Sequence, residues 1–257
     1  MLTEQRYEKI LDLVNEKKSV TVKEMTELLE SSESTIRRDL TVLHKKGRLV
    51  KVFGGAVAID MEYRTKDEEV NRREDENKEA KELIARFAAS LIQPDDFVFL
   101  DAGTTTAWIP DFLIEKSAVF VTNGIAHAKK LARLGVEVHL LGGEYKSSTE
   151  AIVGDEAVEQ LRRYHFTKGF FGTNGIGKTA GYTTPDIREA SLKRCAVQQS
   201  RETYILGDSK KFNRMSAVSF CDFYDATVIT EEILPEFARC NNILKANDFF
   251  KRIAVRC

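Results

Sequence analysis

Residues 32–40 read SESTIRRDL and residues 47–56 read GRLVKVFGGA. Ser32 can cap a helix running from Glu33 to His44, and Ile36, Leu40 and Leu43 fall at i, i+4 and i+7 on its inner face. Burying that stripe turns Ser34, Thr35, Arg37 and Arg38 outward near the helix start, where a recognition helix meets base edges and phosphates. Gly47 supplies a stop signal. Beyond it Leu49, Lys51 and Phe53 alternate with Val50 and Val52, a short β ribbon ahead of Gly54 and Gly55.

Upstream, Tyr7, Ile10, Leu11 and Val14 form one apolar stripe on a helix over Thr3 to Lys17, with Thr3 as its N-cap. Thr21 with Glu24 three residues on is a capping box, and Val22, Met25, Leu28 and Leu29 follow as the buried stripe of a second short helix. Three short helices and a ribbon make a winged helix. Charge agrees when read by segment: residues 34–56 hold six Lys/Arg against one Asp. Arg37, Arg38, Lys45, Lys46, Arg48 and Lys51 are the footprint of phosphate neutralisation, so the expected partner is double-stranded DNA, bound in a salt-dependent way.

Downstream, residues 62–82 carry six basic and nine acidic side chains and few apolar ones, too few to build a core. The expected organisation is a winged helix-turn-helix over 1–58, a charged linker over 59–82 and an α/β domain over 83–257. In that last domain apolar strands alternate with helical stretches: Phe97 to Leu100, Val119 to Val121, Val136 to Leu141 and Thr203 to Leu206 each lead into polar residues and then a helix or turn. Such alternation predicts a mostly parallel sheet, with ligands beyond the carboxyl ends of its strands.

Residues 101–106, DAGTTT, are the sharpest of these strand ends. Gly103 lets the backbone close on a ligand, while Thr104, Thr105, Thr106 and helix-start N–H groups can hold a phosphate. Asp101, an anion, suits a sugar hydroxyl better than the phosphate. Small and polar residues recur at Thr122 and Asn123, at Gly142 and Gly143, over 172–175 (GTNG), at Thr183 and Thr184, and at Asp208 to Lys210. A polyhydroxylated phosphate needs many such groups and a cation, which Lys210 or Lys193 can provide.

The strings VTVKEMTELL (20–29), SESTIRRDL and GRLVKVFGGA, continued by DAGTTT, TNG, LGG, GTNGI, TTPDIREASLK and DSKKF, resemble the DeoR family of bacterial transcription regulators over almost the whole chain. The resemblance implies a C-terminal sensor similar in fold to ribose-5-phosphate isomerase and glucosamine-6-phosphate deaminase, binding phosphorylated sugars without turning them over. Matched position by position, it implies a pocket lined by Asp101, Gly103, Thr104, Thr105, Thr106, Asn123, Gly143, Asn174, Thr184, Glu189 and Lys210. It further implies a repressor of a sugar-utilisation operon, acting as a homo-oligomer, with fructose 1-phosphate the first expectation for the effector. Three residues depart from the family pattern: Phe53 where a His often precedes the GGA, Ser31 where an apolar residue precedes the capping serine, and Lys168 where an acidic residue is common.

The chain has 257 residues, 42% hydrophobic and 31% charged, with a formal net charge of -1. That suffices for one or two cored domains. The expected location is the cytoplasm, since no run approaches the ~18 apolar residues of a membrane span and MLTEQRYEKI lacks a signal-peptide core. Cys195, Cys221, Cys240 and Cys257 are scattered, and His44, His127, His139 and His165 form no ligand-spaced pair, so neither metal nor cofactor is expected. The alternative is a sugar-phosphate isomerase or deaminase carrying a DNA-binding module. Against it, Asp101, Glu189 and Asp208 give no readable acid/base pair.

Overall fold

The computed structural model describes residues 2–17, 19–52, 54–58, 63–64 and 75–247. Helices α1 (Thr3–Lys17), α2 (Val22–Leu28) and α3 (Glu33–Lys45), with strands β1 (Ser19–Thr21), β2 (Val50–Val52) and β3 (Gly55–Val57), form the N-terminal module. Thr21 and Glu24 cap α2 reciprocally at 3.1 and 3.3 Å, and Ser32 Oγ accepts from the Thr35 N–H to cap α3. Thr3 is the first residue of α1 rather than its cap. Ile10, Val14, Met25, Ile36, Leu40, Leu43 and Leu49 meet in one core. Each large apolar side chain so buried contributes roughly 1.5–3 kcal/mol.

The three strands pair antiparallel with β3 in the middle. Gly55 is what permits this, because a Cβ there would strike the Val20 carbonyl of β1. Phe53 and most of the expected linker, residues 59–62 and 65–74, lie outside the described residues.

After the two-residue strand β4 (Tyr63–Arg64), helix α4 (Lys78–Ser90) opens the second module, five residues ahead of the expected boundary at 83. There follow β5 (Phe97–Leu100), β6 (Val119–Thr122), α5 (Ile125–Arg133), β7 (Val138–Leu140), β8 (Glu144–Lys146), β9 (Ala151–Val153), α6 (Asp155–Leu161) and β10 (Phe166–Gly172). The chain continues through β11 (Gly175–Gly177), β12 (Gly181–Thr184), α7 (Ile187–Gln198), β13 (Ser200–Leu206), β14 (Met215–Ser216), β15 (Val218–Cys221), β16 (Thr227–Thr230) and β17 (Ile243–Lys245).

Seven strands form one parallel sheet in the order β17-β16-β13-β10-β5-β6-β7. Alternate residues serve opposite faces, as a strand requires. Phe99, Val121, Phe171, Ile205 and Val228 pack under α6 and α7, whereas Val98, Leu100, Phe120, Phe170, Leu206 and Ile229 pack under α4 and α5. From β5 the chain winds one way through β6 and β7, then crosses to β10 and winds the other way. The β5/β10 boundary is therefore a topological switch point, where the loops that follow adjacent strands part and leave a crevice.

The two modules touch. Val52 and Val57 of the wing form a buried apolar cluster with Ala180 and Met215, and β4 pairs in parallel with β14.

Candidate functional site

Two surfaces carry the residues singled out from the sequence. On the N-terminal module Ser34, Arg37, Arg38, Lys45, Lys46, Arg48 and Lys51 are exposed and Thr35 is half-buried. Arg37 pairs along the helix with Glu33 at 3.2 Å, and Lys51 Nζ donates to Thr41 Oγ1 at 2.7 Å, which holds the wing beside α3. Lys46 lies 5.5 Å over the Tyr7 ring. Asp39, the acidic residue in this basic stretch, is buried and ion-paired with Arg6 of α1, so its charge does not oppose the cations on the outer face. The pairing also fixes α3 against α1.

The second surface is a cleft at the switch point, open to solvent. Gly103, Thr104, Thr105, Asn174 and Glu189 line it, together with Gly172, Thr173, Thr149, Lys193, Asp208, Lys211, Glu76, Asn77 and Lys81. Its floor is tight because the loops after β5 and β10 touch through glycines: a Cβ on Gly103 would lie 3.1 Å from Thr106 Oγ1 and 3.8 Å from Gly172 Cα.

Behind that floor sits Asp101, fully buried. It accepts from the Gly172 N–H at 2.9 Å and is ion-paired with Lys193, whose Nζ also donates to the Gly172 carbonyl at 3.2 Å. Burial pushes the Asp101 carboxyl above its ordinary range, against the opposing charge of Lys193. Glu189 is held differently. It accepts from Lys146 at 3.0 Å, Thr149 at 2.6 Å and Thr184 at 3.1 Å. Burial raises its carboxyl, but Lys193 and Lys146 more than offset this and keep it below the usual range.

Four other expected residues stand behind the cleft. Thr106 Oγ1 turns inward to the Asp101 carbonyl at 2.6 Å and to His127 Nε2 at 3.1 Å. Asn123 ties three segments together, accepting from Ala102 N–H at 2.7 Å and donating to the Ile152 carbonyl at 3.2 Å. Gly143 has φ +138° and packs on Val153 and Ala157, and the Thr184 hydroxyl is spent on Glu189. Lys210 lies outside the cleft, its Nζ 2.5 Å from Asn77 Oδ1, while its neighbour Lys211 faces in.

Lys81 has the composition of the charged run around it, yet it continues the Ile84, Ala85, Ala88 stripe of α4 by one turn and is buried there. Of the two cations expected from the sequence, Lys193, four residues after Glu189 on one face of α7, lines the cleft, and Lys210 does not. Lys168 is a buried cation answered by Asp96 at 2.7 Å, toward the opposite end of β10 from the cleft. Burial raises the Asp96 carboxyl, but Lys168 and the Gln93 N–H hold it below its ordinary range.

The model of the DeoR-like helix-turn-helix domain matches residues 6–62, and that of the DeoR C terminal sensor domain matches residues 76–232. A Bacillus subtilis (strain 168) protein named "Uncharacterized HTH-type transcriptional regulator FruR" is 40% identical over 90% of this chain and 92% of its own. A lactose phosphotransferase system repressor of Staphylococcus epidermidis is 34% identical over 87% of this chain and 90% of its own. Among solved structures, ribose 5-phosphate isomerase A of Methanocaldococcus jannaschii aligns over 53% of this chain and 55% of that one, at 13% identity and a TM-score of 0.39.

Proposed function

The chain belongs to the DeoR family of transcriptional regulators, and from that premise we propose that it represses a sugar-utilisation operon, its hold on DNA set by fructose 1-phosphate bound in the cleft. It is a regulator and not an enzyme, in keeping with relatives named as regulators. Among the described residues no helix is long and apolar enough to cross a membrane.

One observation carries the effector reading. Lys81, Lys193 and Lys211 line the same cleft as Gly103, Thr104 and Thr105, at a strand switch point. That combination of cations, N–H groups and hydroxyls suits a phosphate monoester, and the polar wall formed by Glu189, Thr149 and Asn174 suits the hydroxyls of a sugar. The 40% identity to the regulator named FruR is the support for fructose 1-phosphate in particular.

On the other module, Ser34, Thr35, Arg37 and Arg38 enter the major groove, while Lys45, Lys46, Arg48 and Lys51 take phosphates. A homo-oligomer presents two recognition helices at the spacing of an operator's half-sites. The effector shifts operator affinity by as much as its own affinity differs between the competent and incompetent arrangements.

The test is a thermal-shift titration with fructose 1-phosphate, fructose and a panel of pentose and hexose phosphates, followed by operator titration with and without the ligand that binds. A ligand at 100 times its dissociation constant adds about 2.7 kcal/mol of stability, a shift large enough to read. Arg37→Ala should weaken operator binding by about 1–3 kcal/mol and relax its specificity at one position while leaving the thermal shift intact. Stabilisation by free fructose as strong as by its phosphate would overturn the proposal.

A further inference from the structure

Resting on the reading of α3 as the helix that enters the major groove, we infer that Glu33 is a positioning residue for base recognition, turning the Arg37 guanidinium toward a base edge and away from the phosphates. Glu33 is the first residue of α3, and Arg37 stands one turn further on. Arg37 Nη2 donates to Glu33 Oε2 at 3.2 Å, and both side chains are more than half exposed, 59% for Glu33 and 54% for Arg37. An exposed pair of this kind adds little to stability. Nor does the helix start depend on Glu33 for its cap, because Ser32 Oγ accepts from the Thr35 N–H.

The carboxylate stands among cations. Helix α3 holds two acidic residues, and Asp39 is buried against Arg6, so Glu33 is the one that the outer face presents, beside Arg37 and Arg38. A carboxylate brought up to DNA opposes every complex with the polyanion, whatever its sequence. What it can add is discrimination rather than affinity. An arginine on a recognition helix has two classes of acceptor within reach: phosphate oxygens, which fix register and carry no base information, and the O6/N7 edge of guanine, which does carry it.

Glu33 biases that choice in two ways. Its charge opposes the approach of a phosphate to the Arg37 side chain, whereas an uncharged guanine edge meets no such opposition. Its Oε2 engages one N–H of Nη2 and leaves the rest of the guanidinium fork free for a bidentate contact with guanine. An arginine restrained before DNA arrives also loses less side-chain freedom on binding. Lys51 on the wing is held instead by a neutral partner, donating to Thr41 Oγ1 at 2.7 Å, and keeps its charge for phosphates.

The experiment selects DNA from a randomised duplex pool with the full-length wild type, Arg37→Ala, Glu33→Ala and Glu33→Gln. It then measures the affinity of each protein for the duplex that the wild type selects and for a scrambled duplex. The wild type should select a guanine at a position where Arg37→Ala has no preference, and Glu33→Ala should lose its preference at that same position. For Glu33→Ala the ratio of selected to scrambled affinity should fall about tenfold, within the range of one bidentate base contact, while its affinity for the scrambled duplex rises. Glu33→Gln keeps an acceptor for Arg37 Nη2 and should retain the guanine preference that Glu33→Ala loses. Equal weakening of both duplexes by Glu33→Ala would show a merely structural role, and equal tightening with the base preference intact would show simple repulsion. Either result overturns the inference, as does a preference lost at a position that Arg37 does not read. Failure of the wild type to enrich any sequence would overturn the reading of α3 itself, and this inference with it.

Discussion

His127 shows at the scale of one residue how packing sets chemistry. It lies at the third position of α5, 4% exposed, with Nε2 against Thr106 Oγ1. Burial, helped by the charge of Lys130, lowers its pKa from 6.5 to about 4, so the ring is neutral in the fold and protonates more readily in the unfolded chain. The resulting stability is fully present above about pH 6.5 and is lost as pH falls toward 4. Between pH 7.5 and pH 5 the wild type should lose about 2 kcal/mol that His127→Gln does not. Urea titrations at the two pH values measure this, and parallel losses in both proteins would contradict it. Nothing in the string TNGIAHAKK distinguishes this histidine from an exposed one, because the groups that bury it come from residues 103–106. The Asp39–Arg6 pair is similar: Asp39 reads as one more polar residue of TIRRDL until α1 brings Arg6 to it.

For the recognition helix, the boundaries were legible because capping is local chemistry. Ser32 Oγ accepts from the Thr35 N–H and lies 2.9 Å from the hydroxyls of both Ser34 and Thr35. Ser32→Ala should destabilise the N-terminal module by about 1 kcal/mol, while Ser32→Asp, also a good cap, should hold its stability and yet weaken operator binding by placing a negative charge at the phosphate-facing helix start. Denaturant midpoints and operator titrations separate the two effects, and equal stability of Ser32→Ala and wild type would remove the cap from the account. The element read least well was α4. Its first turn sits in a run of charges whose linear composition reads as solvated connector, yet Lys81 is buried and Asn77 touches Asp208. A composition window averages over a helix face, whereas the structure sorts residue by residue.

On the scale of the whole molecule, the wing and the sensor share a small core of Val52, Val57, Ala180 and Met215. Met215 stands four residues beyond Lys211 of the cleft, and Asn213 between them donates its N–H to the Ile176 carbonyl at 2.9 Å. This is a short physical route from cleft to wing. Met215→Ala should lower stability by about 2 kcal/mol and, on the proposed function, shrink the fold-change in operator affinity between the effector-bound and free protein. Operator titrations at saturating and zero ligand test it, and an undiminished fold-change would rule out this contact as the carrier. The sequence by itself determined the two modules, the capped recognition helix with its cations, the parallel α/β class and the DAGTTT strand end, since all of these rest on periodicity, caps and turns within a few residues. Only the tertiary structure decided which polar strand ends face the cleft. Thr106, Asn123, Gly143 and Thr184 have the same small, polar character as Thr104, Thr105 and Asn174, yet they are consumed in joining the loops, and Lys211 rather than Lys210 faces the cleft. The physical reason is that the direction of a side chain at a strand end depends on the neighbouring loop it packs against, and those neighbours lie tens of residues away.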